Sequence, residues 1–455
     1  MFNTKVDLIN GKILKSLIIF TIPLLISSIF QQLYNMADIM IVGNFLGDTS
    51  LAAIGSTTAI YEMLIGFALG IGNGLSIVTA RSYGAKDEEL VKKSVASSIV
   101  IGGIITIFIM IIVKLFLFPL LQLLHTPENI INEAYSYVYT VTIFVGVTFV
   151  YNLCAGFLRA IGNSFMPLVF LIISSVLNVI LDILFITKFS MGIRGAAVAT
   201  VIAQGISALL CIVYIFYKCK ILIPKKEHFK FDKELYMDLA GQGLSMGIML
   251  LIVSTGTVIL QTAINGFGYL IIAGHVAARK LSSFLTLPIG ILSMSISTFV
   301  SQNKGANKVK RIRQAVRYVN IISIAWGALA FIISLFLSPV LMRAISGSSE
   351  YTVIHNGSLY LMINAPFYAI LGILLNLRNA LQGIGQKIIP LISSIIEFFG
   401  KIVFVYFLIG KMGYFGVIIC EPVIWCLMAG QLVYSFYKNP YIKDGGNKIQ
   451  HEIAS

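Results

Sequence analysis

Two carboxylates, an amide and a hydroxyl lie at related depths in long apolar segments: Asp38, Asn178, Asp182 and Thr200. At ~1.5 Å per helical residue, Asp38, Asp182 and Thr200 lie roughly 7–9 Å below the same membrane surface. Asn178 lies one turn deeper on the face that carries Asp182. Oxygen ligands suit Na⁺, and two carboxylates in a low dielectric can instead share a proton. The four residues predict a site for H⁺ or Na⁺; the alternative is a hydrogen-bonded cluster that only joins helices.

The elements that hold these residues must cross a membrane. Of the 455 residues, 58% are hydrophobic and 11% are charged, whereas soluble domains have about 25% charged residues. Apolar segments long enough to span the bilayer recur along the whole chain. The sequence therefore predicts an all-α integral membrane protein with twelve transmembrane helices. The spans lie near 15–43, 51–80, 95–117, 131–160, 165–187, 195–217, 236–266, 269–301, 315–342, 352–382, 388–410 and 415–437.

The distribution of basic residues predicts the orientation. With the N-terminus in the cytoplasm, the loops and tails on that side hold about 25 of the 33 Lys and Arg residues. The net charge of +14 is then explained by basic loops that face an anionic membrane surface, with no nucleic acid involved. We expect a multi-pass protein of a prokaryotic cytoplasmic (inner) membrane, with both termini cytoplasmic and membrane lipids as its surroundings.

The chain contains an internal repeat. Residues 158–162 (LRAIG) reappear as 381–385 (LQGIG), and Met191-Gly192 reappears as Met412-Gly413. Because each copy has six spans, both copies insert in the same orientation. We expect two pseudo-symmetric six-helix lobes around a central cleft. Their predicted limits are 1–217 for the N-terminal lobe, 218–235 for a basic cytoplasmic linker, 236–437 for the C-terminal lobe and 438–455 for a cytoplasmic tail.

Further polar residues of the first half lie inside spans. Pro23 precedes Asp38 on the first span and removes a backbone hydrogen bond, which predicts a helix bend there. Gln31 and Tyr34 lie about two and one turns before Asp38, where they either extend the polar strip or simply pack. Glu62, in the middle of the second span, either faces the cleft and attracts cationic substrate or is a hydrogen-bonded structural acid.

Three ionisable residues of the second half are weaker candidates for a site. Glu397 and Lys401 are four residues apart on the eleventh span, where a self-neutralising ion pair is the simplest interpretation. Under the repeat, Lys401 corresponds to Asn178 and Glu421 to Thr200. A role in coupling or substrate binding is the alternative for all three.

These features resemble the multidrug and toxic compound extrusion (MATE) family, especially its prokaryotic DinF-like branch. The resemblance rests on Pro23 to Asp38 followed by Ile41-Val42-Gly43, on the Gly84-Ala85 loop, on Asn178 with Asp182, and on Gly195 with Thr200. It implies an antiporter that exports organic cations or amphipathic compounds by alternating access. It also implies coupling to H⁺ or Na⁺ at Asp38, Asn178, Asp182 and Thr200, with Pro23 as the bend point. The seventh span lacks the acidic residue that serves coupling in some members.

Other functions fit the sequence less well. A lipid-linked saccharide flippase of the same superfamily is expected to have a more cationic cleft and often fourteen spans. A membrane enzyme needs a nucleophile-base pair or a metal set, and neither the five histidines nor the five cysteines have such spacing. The sequence contains no Walker-type phosphate-binding loop, so we expect no ATP binding. We expect no enzymatic activity, no cofactor beyond the coupling ion, small-molecule substrates and a monomer.

Overall fold

The computed structural model describes residues 5–123 and 126–443, and within these ranges the regular structure is entirely helical. Eleven helices are long and apolar enough to cross a membrane, and a bent helix pair at 128–160 provides a twelfth span. The prediction of an all-α membrane protein with twelve transmembrane helices is confirmed.

The spans, numbered in chain order, have the following bounds. They are Ile13–Leu46, Asp48–Gly84, Glu88–Leu123, Glu128–Ile143 with Val145–Ala160, Phe165–Ile183 with the π-helical turn Leu184–Lys188, Ile193–Lys218, Lys233–Ile264 with the 3-10 turn Asn265–Phe267, Tyr269–Gly305, Val309–Ser346, Tyr351–Asn364 joined through Ala365–Phe367 to Tyr368–Gly383, Ile388–Val403 with the π-helical turn Phe404–Leu408 and Ile409–Met412, and Tyr414–Lys438.

Several spans are longer than predicted at their charged ends. Span 9 begins at Val309, six residues before the predicted start at 315, and includes basic residues such as Arg313. Charged side chains limit the hydrocarbon-embedded segment, but backbone hydrogen bonding continues into the surface region. Span 4 bends by 46° between Ile143 and Val145, a feature the apolar pattern did not predict.

The internal repeat is visible in the backbone conformation. Unusual positive φ angles recur at paired positions: Lys86 and Asn307 (60° and 54°), Gly162 and Gly385 (86° and 92°), and Gly192 and Gly413 (59° and 60°). Both copies also contain a π-helical turn, at Leu184–Lys188 and at Phe404–Leu408. Such turns are rare. Their recurrence indicates that the two halves share one fold.

The chain packs as two compact units. One comprises Met1–Gly11 with Ile18–Leu250, and the other comprises Lys12–Leu17 with Leu251–Ser455. The boundary between them falls inside span 7, so the first turns of that helix belong with the first unit. The predicted lobe limits at 217 and 236 stay a prediction. Of the predicted tail, residues 444–455 lie outside the described residues.

Candidate functional site

The first unit brings together the four residues of the predicted ion site. Asn178 Nδ2 donates to Thr200 Oγ1 at 3.4 Å, and the carboxyl groups of Asp38 and Asp182 are close enough to interact electrostatically. Spans 1, 5 and 6 supply these side chains. Asp182 is fully buried, and Asn178 is nearly so. These three spans therefore bring the four side chains together, and their role in ion coupling stays a prediction.

The helices explain how these groups face each other. Asn178 and Asp182 lie on one face of span 5, one turn apart, and the π-helical turn begins two residues after Asp182. Thr200 Oγ1 donates to Ala196 O at 3.1 Å, so its lone pairs remain available to the cluster. The hydroxyl consequently acts as an acceptor there.

Four buried oxygens of the cluster have no hydrogen-bond partner among the described residues. They are Asp38 Oδ1, Asn178 Oδ1 and both carboxylate oxygens of Asp182. Buried acceptors of this kind are normally satisfied, because leaving them unpaired costs ~1–3 kcal/mol each. A proton shared by the two carboxylates would satisfy two of their oxygens, whereas a bound Na⁺ would be coordinated by carboxylate and amide oxygens together. No group of three or more His, Cys, Asp and Glu side chains suited to a metal occurs within 5–123 and 126–443.

A cavity of about 260 Å³ in the first unit extends from Asn178 and Thr200. Gln31, Tyr34 and Glu62, the three cavity candidates from the sequence, all line it. Glu62 is exposed. No Lys or Arg is among the described residues that line the cavity.

Several amides that the sequence pattern did not predict also line this cavity. Asn35, Asn152 and Gln204 line it, and Tyr34 interacts with Gln204. Gln204 follows Thr200 by one helical turn, a signal that was available in the sequence. Only the packing of spans 1 and 4 determines that the side chains of Asn35 and Asn152 face the cavity.

Pro23 lies inside an uninterrupted helix. Its carbonyl accepts a hydrogen bond from Ser27 Oγ at 2.8 Å. Proline prevents the normal backbone bond to the preceding turn, which weakens the helix locally. The bend predicted at Pro23 stays a prediction.

In the second unit, Glu397 and Lys401 form the expected pair. Lys401 Nζ lies 2.9 Å from Glu397 Oε1 and also donates to Thr257 Oγ1 at 3.3 Å. Arg378 Nη2 lies 3.9 Å from the other carboxylate oxygen. The carboxylate of Glu397 therefore interacts with both Lys401 and Arg378, and the i,i+4 spacing predicted only the first of these contacts.

Glu421 belongs to a separate network. It accepts from Arg279 Nη1 at 2.6 Å and from the Tyr360 hydroxyl at 3.0 Å. The partner of Arg279 could not be predicted from the sequence, because it is 142 positions away. Glu421 and Glu397 thus have basic partners of their own, whereas no Lys or Arg of the described residues pairs with Asp38 or Asp182.

Comparisons with known proteins agree with this architecture. The MatE family profile matches residues 23–184 and again 246–407. A probable multidrug resistance protein of Bacillus subtilis, YoeA, is 28% identical over 435 residues, covering 93% of both chains. The multidrug export protein MepA of Staphylococcus saprophyticus is 24% identical, covering 93% of this chain and 92% of its own. A crystal structure of MATE in the bent conformation superposes with a TM-score of 0.89 at 22% identity, over 98% of this chain and all of that one.

Proposed function

Because this chain belongs to the MatE family of multidrug efflux transporters, we propose that it exports cationic or amphipathic small molecules in exchange for H⁺ or Na⁺. The observation that carries this proposal is the cavity of the first unit, which has amide and aromatic walls without any lining Lys or Arg and which reaches Asn178, one helical turn from buried Asp182. Such a site attracts cations. A flippase for a lipid-linked phosphate needs the opposite charge at its site.

Exchange of the ion for the substrate follows because the same carboxylates attract both cations. An ion bound at Asp38, Asn178, Asp182 and Thr200 neutralises the carboxylates that would otherwise attract a cationic substrate in the adjoining cavity. Binding of one cation therefore weakens binding of the other, which is the reciprocal coupling an antiporter requires. We propose that ion binding at Asp38 also changes the bend of span 1 at Pro23 and drives alternating access.

The orientation and assembly state belong to the same proposal. The excess of Lys and Arg in alternate loops supports cytoplasmic termini in an inner membrane. We propose that the protein works as a monomer, since the ion site and its cavity are formed within one unit of a single chain.

The test is dye efflux in inverted vesicles, comparing Asp38→Asn and Asp182→Asn at matched expression. Asp87→Asn is the matched control, because Asp87 accepts a hydrogen bond from the Leu90 amide and asparagine can replace it. We expect both site variants to lose gradient-driven efflux while the control retains it. Collapsing the pH and Na⁺ gradients separately identifies the coupling ion. If both variants pump like the control, the cluster is structural and the proposal is wrong.

Two further variants test the substrate side and the bend. Glu62→Gln should weaken transport of cationic dyes several-fold more than that of uncharged amphipaths, because only the former gain from its charge. The Pro23→Ala variant should fold normally but lose efflux. Full activity of this variant would mean that bending at Pro23 is not required for transport.

A further inference from the structure

A second cavity of the first unit, of about 710 Å³, has no role in the ion site. It lies between spans 3, 4 and 6 and the linker after span 6, and it shares no lining residue with the cavity at Asn178. Its walls are almost entirely apolar, and wall residues such as Ile107, Val150 and Phe216 are exposed. Exposed apolar side chains on a membrane span face hydrocarbon. We call this cavity the lipid groove.

The linker forms one end of the groove in a fixed position. Buried His228 accepts the Lys225 amide at Nδ1 (2.7 Å), and its Nε2 donates to Glu89 Oε2 on span 3 (3.0 Å). These two bonds specify the tautomer and attach the linker to span 3. Apolar linker residues, among them Leu222 and Phe229, line the groove.

Exposed lysines alternate with these apolar linker residues. Lys220 precedes Leu222, Lys225 and Lys226 follow the groove residue Pro224, and Lys230 follows Phe229. The lysines are therefore next to the groove where the apolar spans end. A hydrocarbon groove that ends at a cluster of cations matches a molecule with an acyl chain and an anionic headgroup.

We propose that the lipid groove binds one acyl chain of an anionic phospholipid, whose phosphate contacts the linker lysines. The groove volume falls within the roughly 300–1,000 Å³ typical of specific ligand sites. A bound lipid would connect span 3 to the linker, and the composition of the membrane would then influence the first unit.

The internal repeat does not account for the groove. At the repeat offsets of 221 and 223, Gly103 corresponds to Ile324 or Trp326, so the second copy has a large side chain where the first has none. A Cβ added at Gly103 meets nothing within 4 Å. The open wall at this position is thus a feature of the first copy.

The test uses Phe229→Trp as a fluorescent reporter in the full-length protein. Quenching by phosphatidylglycerol with brominated acyl chains is compared with quenching by brominated phosphatidylcholine in mixed micelles, after subtraction of the signal from Trp326 and Trp425. We expect phosphatidylglycerol to quench at a lower mole fraction. An unpaired lysine contributes about fivefold to the preference, and Lys225 Nζ lies 3.6 Å from Glu227 Oε1, so Lys225→Gln with Lys226→Gln should reduce the preference by about 5- to 25-fold.

Two controls distinguish the contribution of the lysine charges from the contribution of the apolar groove. Lys310→Gln with Lys443→Gln removes the same charge from exposed positions outside the linker and should leave the preference unchanged. Gly103→Leu should fill the groove and weaken quenching by both lipids, whereas Gly430→Leu, also with open space around an added Cβ, should not. Equal quenching by both lipids would overturn the proposal and leave ordinary solvation by lipid. Displacement of the brominated chain by a transported organic cation would instead assign the groove to substrate.

Discussion

Glu397→Gln should destabilise this protein more than Glu421→Gln, because the cations that the two variants leave unpaired differ in burial. The side chain of Lys401, paired with Glu397, is 2% exposed, and that of Arg378 is 8% exposed. The side chain of Arg279, paired with Glu421, is 38% exposed and is therefore less enclosed by protein than the other two cations.

The magnitudes follow from this difference. Removing one partner of a fully buried ion pair costs about 3–5 kcal/mol, because the other charge stays buried without compensation. For Arg279 the loss is smaller, because its guanidinium is less enclosed by protein, but the Tyr360 hydrogen bond to the carboxylate is also altered. We expect about 3–5 kcal/mol for Glu397→Gln and about 1–3 kcal/mol for Glu421→Gln.

A double variant sharpens the argument. Lys401→Met added to Glu397→Gln removes the buried cation together with its partner, so the pair of substitutions should cost less than Glu397→Gln alone. Arg378 keeps its hydrogen bond to Ser393 Oγ at 3.0 Å in either background.

The assay is unfolding of the purified protein by titration with sodium dodecyl sulfate in mixed micelles, followed by helical circular dichroism. Glu350→Gln, at an exposed position outside the helices, controls for loss of one acidic charge. The claim that burial of the unpaired cation determines the loss of stability would be refuted by an equal or larger cost for Glu421→Gln. It would also be refuted by a double variant that is no more stable than Glu397→Gln.

Three other predictions use the same purified protein. Gly74→Ala should cost about 1–3 kcal/mol in the unfolding assay, because an added Cβ would lie 2.6 Å from backbone atoms of span 7, whereas Gly430→Ala should be near neutral or stabilising. Burial raises the pKa of the Cys219 thiol, so maleimide should label this residue much more slowly in the folded protein than after unfolding in sodium dodecyl sulfate near neutral pH; equal rates would contradict its burial. His228→Ala removes both linker bonds and should speed tryptic cleavage in the linker, and an unchanged rate would mean that the linker is held by its apolar contacts.

Much of the fold could be predicted because hydrocarbon thickness and helical rise translate directly into segment length. The twelve spans and the repeat follow from apolar run length and short recurring motifs, and the backbone angles at Gly162 and Gly385 reflect the repeat. The shared depth of Asp38 and Asp182 could also be predicted, because the depth of a residue in the membrane follows from its position along its helix.

Only the tertiary structure decided which way side chains face and which distant residues meet. The pairing of Arg279 with Glu421, the amide of Asn152 in the ion-site cavity and the attachment of His228 to span 3 all depend on how helices rotate against each other. Rotation about a helix axis is set by the packing of many neighbouring side chains at once. Counting along one helix gives the depth of a residue, but it does not give the partner that lies opposite it.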